Sequence, residues 1–198
     1  MARKAPRTGV PRLGTPTLTA SDWAEAALQL IAEAGLGALT VSRLAARLGV
    51  TKGSFYWHFK GRDELLAAAL DRWQQHATLD TMKALDEVPD PRTRLELILG
   101  AASQPPRARS LYASLAQAAE HPLVRKALSR VATARIAYLE RCYVGMGLSA
   151  PDARARAVFA YAAYRGVLQL AHEAPQALPD DWAAYAALVK AQLVPTRG

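Results

Sequence analysis

Between Thr40 and Phe59 the chain has room for two short helices and one sharp turn, and that restriction shapes everything around it. Thr40 has the side chain of a helix cap, and Val41, Leu44, Ala45 and Leu48 recur at the spacing of one helical face. Gly49, four residues after Ala45, stops that helix. Glycine takes the left-handed conformation of such a turn without steric penalty. Thr51 is placed to cap a third, very short helix reaching about Trp57. Phe55 and Phe59 stand four apart, so both rings share one face and can lock this helix onto its neighbours. Helices joined across a glycine turn in this way form a helix-turn-helix.

Charge singles out the same region. Residues 1–62 hold nine Lys/Arg against three acids, a net of +6, whereas the other 136 residues hold 16 against 14, a net of +2. A basic segment on a nearly neutral body is the electrostatic outline of a nucleic-acid binder. The chain is 51% apolar, which supports a packed core, and its alanine richness with few β-branched runs favours helix over sheet. The one cysteine, Cys142, excludes an intramolecular disulfide and fits a reducing, cytoplasmic compartment. The basic N-terminus has no apolar stretch behind it, which argues against a secretory leader. No apolar run approaches the roughly 20 residues of a membrane span.

Proline and glycine punctuate the rest. Residues 1–17, with Pro6, Gly9, Pro11, Gly14 and Pro16, read as a flexible basic arm. Thr19 and Asp22 have capping-box spacing, and Trp23, Ala27, Leu30, Ile31 and Ala34 then share one helical face up to Gly35. A fourth helix opens at Gly61-Arg-Asp-Glu and extends to about Leu85. Breaks at prolines and glycines delimit helices at about 92–102, 107–119, 122–143, 150–173 (begun by Ser149-Ala-Pro-Asp) and 180–193, the last capped by Asp180. The expected fold is all-α with nine helices. It divides into the arm (1–17), a helix-turn-helix domain (18–62) and a larger helical domain (63–198).

The outward positions of the helix-turn-helix suit DNA. Thr40 and Thr51 sit at helix N-termini, where hydroxyls and free N–H groups meet phosphates. Lys52 has the reach for a guanine edge, and Gly53 permits close approach of backbone to bases. Ser42 and Ser54 suit a base or a phosphate, and Arg43 adds a cation on the same side. Tyr56 offers a ring to a thymine methyl and a hydroxyl to phosphate. Trp57, His58, Lys60 and Arg62 supply donors for the DNA backbone. In the arm, Arg3, Lys4, Arg7 and Arg12 suit a minor groove.

Residues 19–70 resemble the N-terminal domain of the tetracycline-repressor (TetR) family. The resemblance rests on Ala26-Ala27-Leu28, Gly35, Leu39-Thr40, Leu44-Ala45, Leu48-Gly49-Val50, Gly53, Phe55-Tyr56-Trp57-His58-Phe59 and Asp63-Glu64-Leu65-Leu66. Where the family usually has lysine, this chain has Arg62, which keeps the charge with different geometry. The resemblance implies an all-helical homodimer, a palindromic operator and a C-terminal ligand-binding domain. Regulation would follow from a ligand that spreads the two reading heads, most simply in a repressor.

The resemblance also implies a dimer interface on the last two helices, for which Ala153, Ala157, Ala160, Tyr161, Tyr164 and Leu168 form a candidate stripe. Candidate pocket residues among the preceding helices are Trp73, His76, Tyr112, Gln117, Tyr138, Cys142 and Arg165, with His121 and Tyr143 as further polar groups. The near-neutral charge there favours a small apolar or aromatic effector. Enzymatic chemistry has little support. His58, His76, His121 and His172 are dispersed, and no C-x-x-C, H-x-x-x-H, Walker loop or G-x-S-x-G occurs. No cofactor or metal is expected. Two alternatives stay open: a DNA-binding regulator without a small ligand, and a helical small-molecule-binding protein or enzyme with a vestigial DNA head.

Overall fold

The structure, a computed structural model, describes residues 18–105 and 111–196, so the basic arm lies outside the described residues. Helix α1 (Ala20–Ala34) opens on a complete capping box: Asp22 N donates to Thr19 Oγ1 at 3.2 Å, and Thr19 N to Asp22 Oδ2 at 2.7 Å. Its inward face is Trp23, Ala27, Leu30 and Ile31, while Ala34 at the helix end is exposed. Helix α2 (Val41–Leu48) is capped by Thr40, whose Oγ1 accepts from Arg43 N at 3.3 Å. Gly49 follows with φ 67°, the left-handed turn that a side chain would strain. Helix α3 (Lys52–Tyr56) then starts beyond Thr51, whose side chain makes no capping bond, contrary to expectation.

Helix α4 (Arg62–Gln74) passes through a π-helical turn (Gln75–Leu79) into α5 (Asp80–Asp86), and the three form one unbroken rod. The end near Leu85 is as expected, but the π turn has no signature in the sequence. Helices α6 (Pro91–Ala102), α7 (Leu111–Gln117), α8 (Pro122–Gly145), α9 (Ala150–Glu173) and α10 (Trp182–Leu193) follow. With the rod counted once, the described residues hold nine helices and no strand. Asp181, rather than Asp180, caps α10 by accepting from Ala184 N at 2.9 Å. None of these helices is long and apolar enough to cross a membrane.

Two cores hold the helices together. The first joins Trp23, Ile31, Leu44, Phe55 and Leu66 to Leu115, Val124 and Val131. It therefore does not end at residue 62: α4, α7 and the first half of α8 close it. The second gathers Leu95, Tyr138 and Tyr143 against Ala153, Ala157 and Leu193. Arginines staple α1 to its neighbours. Arg47 grips Glu33 with two bonds of 2.6 and 2.7 Å from α2, and Arg72 reaches Glu25 at 2.9 Å from α4.

The stripe assigned to a dimer interface points elsewhere. Ala153, Ala157, Ala160 and Tyr161 are buried within the chain, and Tyr164 and Leu168 are half-buried. Their small side chains bring α9 close to α8 in the same molecule, a use of small residues that sequence cannot distinguish from close approach between subunits.

Candidate nucleic-acid interface and interior cavity

Helix α3 has one buried ring and an exposed outer face. Phe55 is fully buried, with Trp23 edge-on at 5.4 Å between centroids and Phe59 at 5.6 Å. That packing turns the next two rings outward: Tyr56 is 63% exposed and Trp57 88% exposed. Thr40, Ser42, Arg43, Thr51, Lys52, Gly53 and Lys60 are exposed around them, and Ser54 and His58 are half-buried. The ion pairs of this region are Arg47–Glu33, Arg62–Asp63 and Arg72–Glu25, so Arg43, Lys52 and Lys60 meet no carboxylate among the described residues. The result is a short helix end carrying exposed aromatics and unpaired cations, sized for a groove and charged for phosphate.

Gly53 has no internal reason to be glycine. A Cβ there would meet only Thr51 Oγ1, at an ordinary 3.6 Å. Within a helix glycine is less favourable than alanine by about 1 kcal/mol. Packing within the chain therefore does not require glycine at this position.

Arg62 also has partners within the chain. Its Nε donates to the Leu39 carbonyl at 2.8 Å and a terminal nitrogen to the Leu36 carbonyl at 3.1 Å. The guanidinium ties α4 to the turn that enters α2. Glu64 Oε2 likewise accepts from Lys60 N at 2.6 Å, which fixes the start of α4 and leaves the Lys60 ammonium exposed.

Residues 24–69 match the family model of the bacterial regulatory proteins of the tetR family. This N-terminal domain is a tetR-family domain. Over 56 residues it is 39% identical to the HTH-type transcriptional regulator SrpR of Pseudomonas putida, a match covering 28% of this chain and only 26% of that protein. Solved structures share the fold over most of the chain. A transcriptional regulator from Rhodococcus sp. Rha1 superposes with TM-score 0.71 and 23% identity, covering 91% of this chain and 100% of that one. The transcriptional regulator FadR of Bacillus subtilis, solved in complex with stearoyl-CoA, gives TM-score 0.63 and 20% identity, covering 87% and 96%.

Behind the tetR-family domain, a cavity of about 340 Å³ opens between the π turn with α5, and α6, α8 and α9. Its walls are mostly apolar, among them Met82, Leu85, Ile98 and Leu139, with Thr78, Thr81, Arg135, Tyr138, Tyr161 and Tyr164 as polar groups. Of the pocket residues expected from sequence, only Tyr138 lines it. Tyr112, Gln117 and Arg165 line a separate small crevice. Trp73 is buried against Tyr112 at 5.9 Å, Cys142 is buried in the second core, and His76 is exposed with Nδ1 2.8 Å from Asp80. Sequence reasoning missed Arg135 and Thr78. Arginine on a helix reads as surface by default, and only the π turn brings Thr78 inward.

A tyrosine wall separates cavity from crevice. The Tyr112 and Tyr161 hydroxyls lie 2.9 Å apart, and Arg165 donates to the Tyr112 hydroxyl. Burial, then the bond to Tyr161, pushes the Tyr112 hydroxyl well above its usual range, so it stays neutral and does not act as a counter-ion.

Proposed function

We propose that this protein is a ligand-responsive, DNA-binding transcriptional regulator, most simply a repressor working in the cytoplasm as a homodimer on a palindromic operator. The outer face of α3 carries the reading: exposed Tyr56 and Trp57 beside unpaired Lys52, and a glycine the fold does not need. In this reading α3 enters the major groove. Lys52, Ser54 and Tyr56 read base edges, while Thr40, Ser42, Arg43, Thr51, Trp57, His58 and Lys60 position the phosphates. The match to a tetR-family domain supports the same role.

The dimer is proposed through the outer faces of α9 and α10. On α9, Ala155, Phe159, Ala162, Gly166 and Leu170 are exposed at intervals of about one turn, and on α10 Leu188 is 57% exposed. A stripe of this length on a soluble surface calls for a partner. The cavity is the proposed effector site. The rod of α4, the π turn and α5 contributes to both the tetR-family domain and the cavity wall, so an occupant that shifts the rod would move the reading heads. FadR, whose fold is similar, was solved with stearoyl-CoA, a ligand with a long apolar acyl chain, which supports an effector with an apolar part in this fold.

Selection from a random oligonucleotide pool at moderate salt tests the reading. Enrichment of an inverted repeat is expected, and recovery of unselected sequence would overturn it.

A further inference from the structure

Arg135 and Arg165 flank the Tyr112 ring, with guanidinium carbons 5.7 and 4.7 Å from its centroid. Neither meets a carboxylate among the described residues, and the segments outside them contain no Asp or Glu side chain. The other half-buried arginines of the larger domain do have such partners: Arg72 with Glu25, Arg92 with Glu96, Arg94 with Asp86, and Arg130 with Asp71. Arg135 alone of the flanking pair lines the 340 Å³ cavity. Its Nε donates to Thr78 Oγ1 at 3.2 Å and one terminal nitrogen to the Ala77 carbonyl at 3.0 Å. The second terminal nitrogen has no acceptor among the described residues. Arg135 is the one charged side chain in the wall of this apolar cavity, so it is the group there that can meet an anion.

We infer that the cavity takes an apolar carboxylate, with the apolar body among Met82, Leu85, Ile98 and Leu139 and the carboxylate on Arg135. This rests on the reading of the cavity as the effector site and names the ligand class. A single guanidinium matches a single negative charge, and its free terminal nitrogen can give a carboxylate a charge-assisted bond while the other two nitrogens stay on the π turn. Volumes of about 300–1,000 Å³ accommodate small organic ligands, and this cavity falls at the lower end, which favours a medium-sized body. Both acceptors of Arg135 belong to the π turn, so a carboxylate on Arg135 is coupled to the rod that begins in the tetR-family domain.

The experiment compares decanoate with decanol on the full chain, by calorimetry without DNA, below micellar concentrations. Wild type is expected to bind decanoate at least about tenfold more tightly than decanol, the scale of one charge-assisted bond. Arg135→Gln should bind decanol as wild type does, which reports an intact cavity, and lose the preference for decanoate. Arg165→Gln, which removes a charge beyond the Tyr112 wall, should keep it. Equal binding of the two compounds by wild type, no binding of decanoate, or a preference that survives Arg135→Gln would each overturn the inference. Decanoate binding that leaves operator affinity unchanged would instead sink the regulatory reading and leave the ligand class standing.

Discussion

Arg62 Nε bonds the Leu39 carbonyl at 2.8 Å, so the first residue of α4 holds the turn that aims α2 and α3. A second bond, to Leu36, makes the clamp two-pronged. Bonds from a charged donor contribute about 1.5–3 kcal/mol. Arg62→Ala should therefore lower the unfolding midpoint clearly, and Arg62→Lys should recover only part, because an ammonium cannot span both carbonyls. Lys60→Ala should leave thermal stability unchanged and reduce the salt dependence of DNA binding by about one phosphate contact. Thermal melts and affinity measured across a salt series separate the two roles.

Gly53 makes the opposite trade. Gly53→Ala should stabilise α3 or leave it neutral, by up to about 1 kcal/mol, since the added methyl meets only Thr51 at 3.6 Å. DNA affinity should fall tenfold or more if the backbone lies against bases. A variant that is both stable and fully active in gel shift would remove close approach from the account of this face.

Two buried tyrosines set an alkaline limit. Burial, above all, pushes the Tyr138 and Tyr143 hydroxyls up to about 12. The Tyr138 hydroxyl also donates to Asp86 Oδ1 and that of Tyr143 to the Leu193 carbonyl, both at 2.9 Å. In the unfolded chain both titrate near 10. Their protonated forms thus favour the fold, and this contribution is fully present below about pH 10 and lost as pH rises to about 12. Tyr143→Phe should flatten the fall in chemical-denaturation midpoint across that window, at the expense of some stability at neutral pH from the orphaned carbonyl.

Much of this was readable in the residues because it is local. Thr19 with Asp22, Gly49, and Phe55 with Phe59 each act within one or two turns, and the structure uses them as their spacing suggests. The same spacing turned Tyr56 and Trp57 outward. What sequence concealed depends on distant partners. Arg62 and an exposed phosphate-binding arginine look identical until Leu36 and Leu39 fold beneath it. Thr78 enters the cavity wall only because the π turn shifts the helical register by one residue. The alanines of α9 advertise close packing, and α8 of the same chain takes that face.

The other face of α9 carries the proposed contact between copies. Phe159 is 61% exposed and Val158 44%, while Ala157 between α9 and α8 is fully buried. If two copies meet through α9 and α10, Phe159→Glu places a charge in the contact and should convert a dimer to a monomer without lowering the monomer's melting cooperativity. Leu188→Glu on α10 should act in the same direction. Ala157→Leu should behave differently: it forces α8 and α9 apart within one chain and destabilises by about 1–3 kcal/mol at any protein concentration. Sedimentation equilibrium of the three variants distinguishes the two faces. A Phe159→Glu protein that remains dimeric at micromolar concentration would move the interface away from α9.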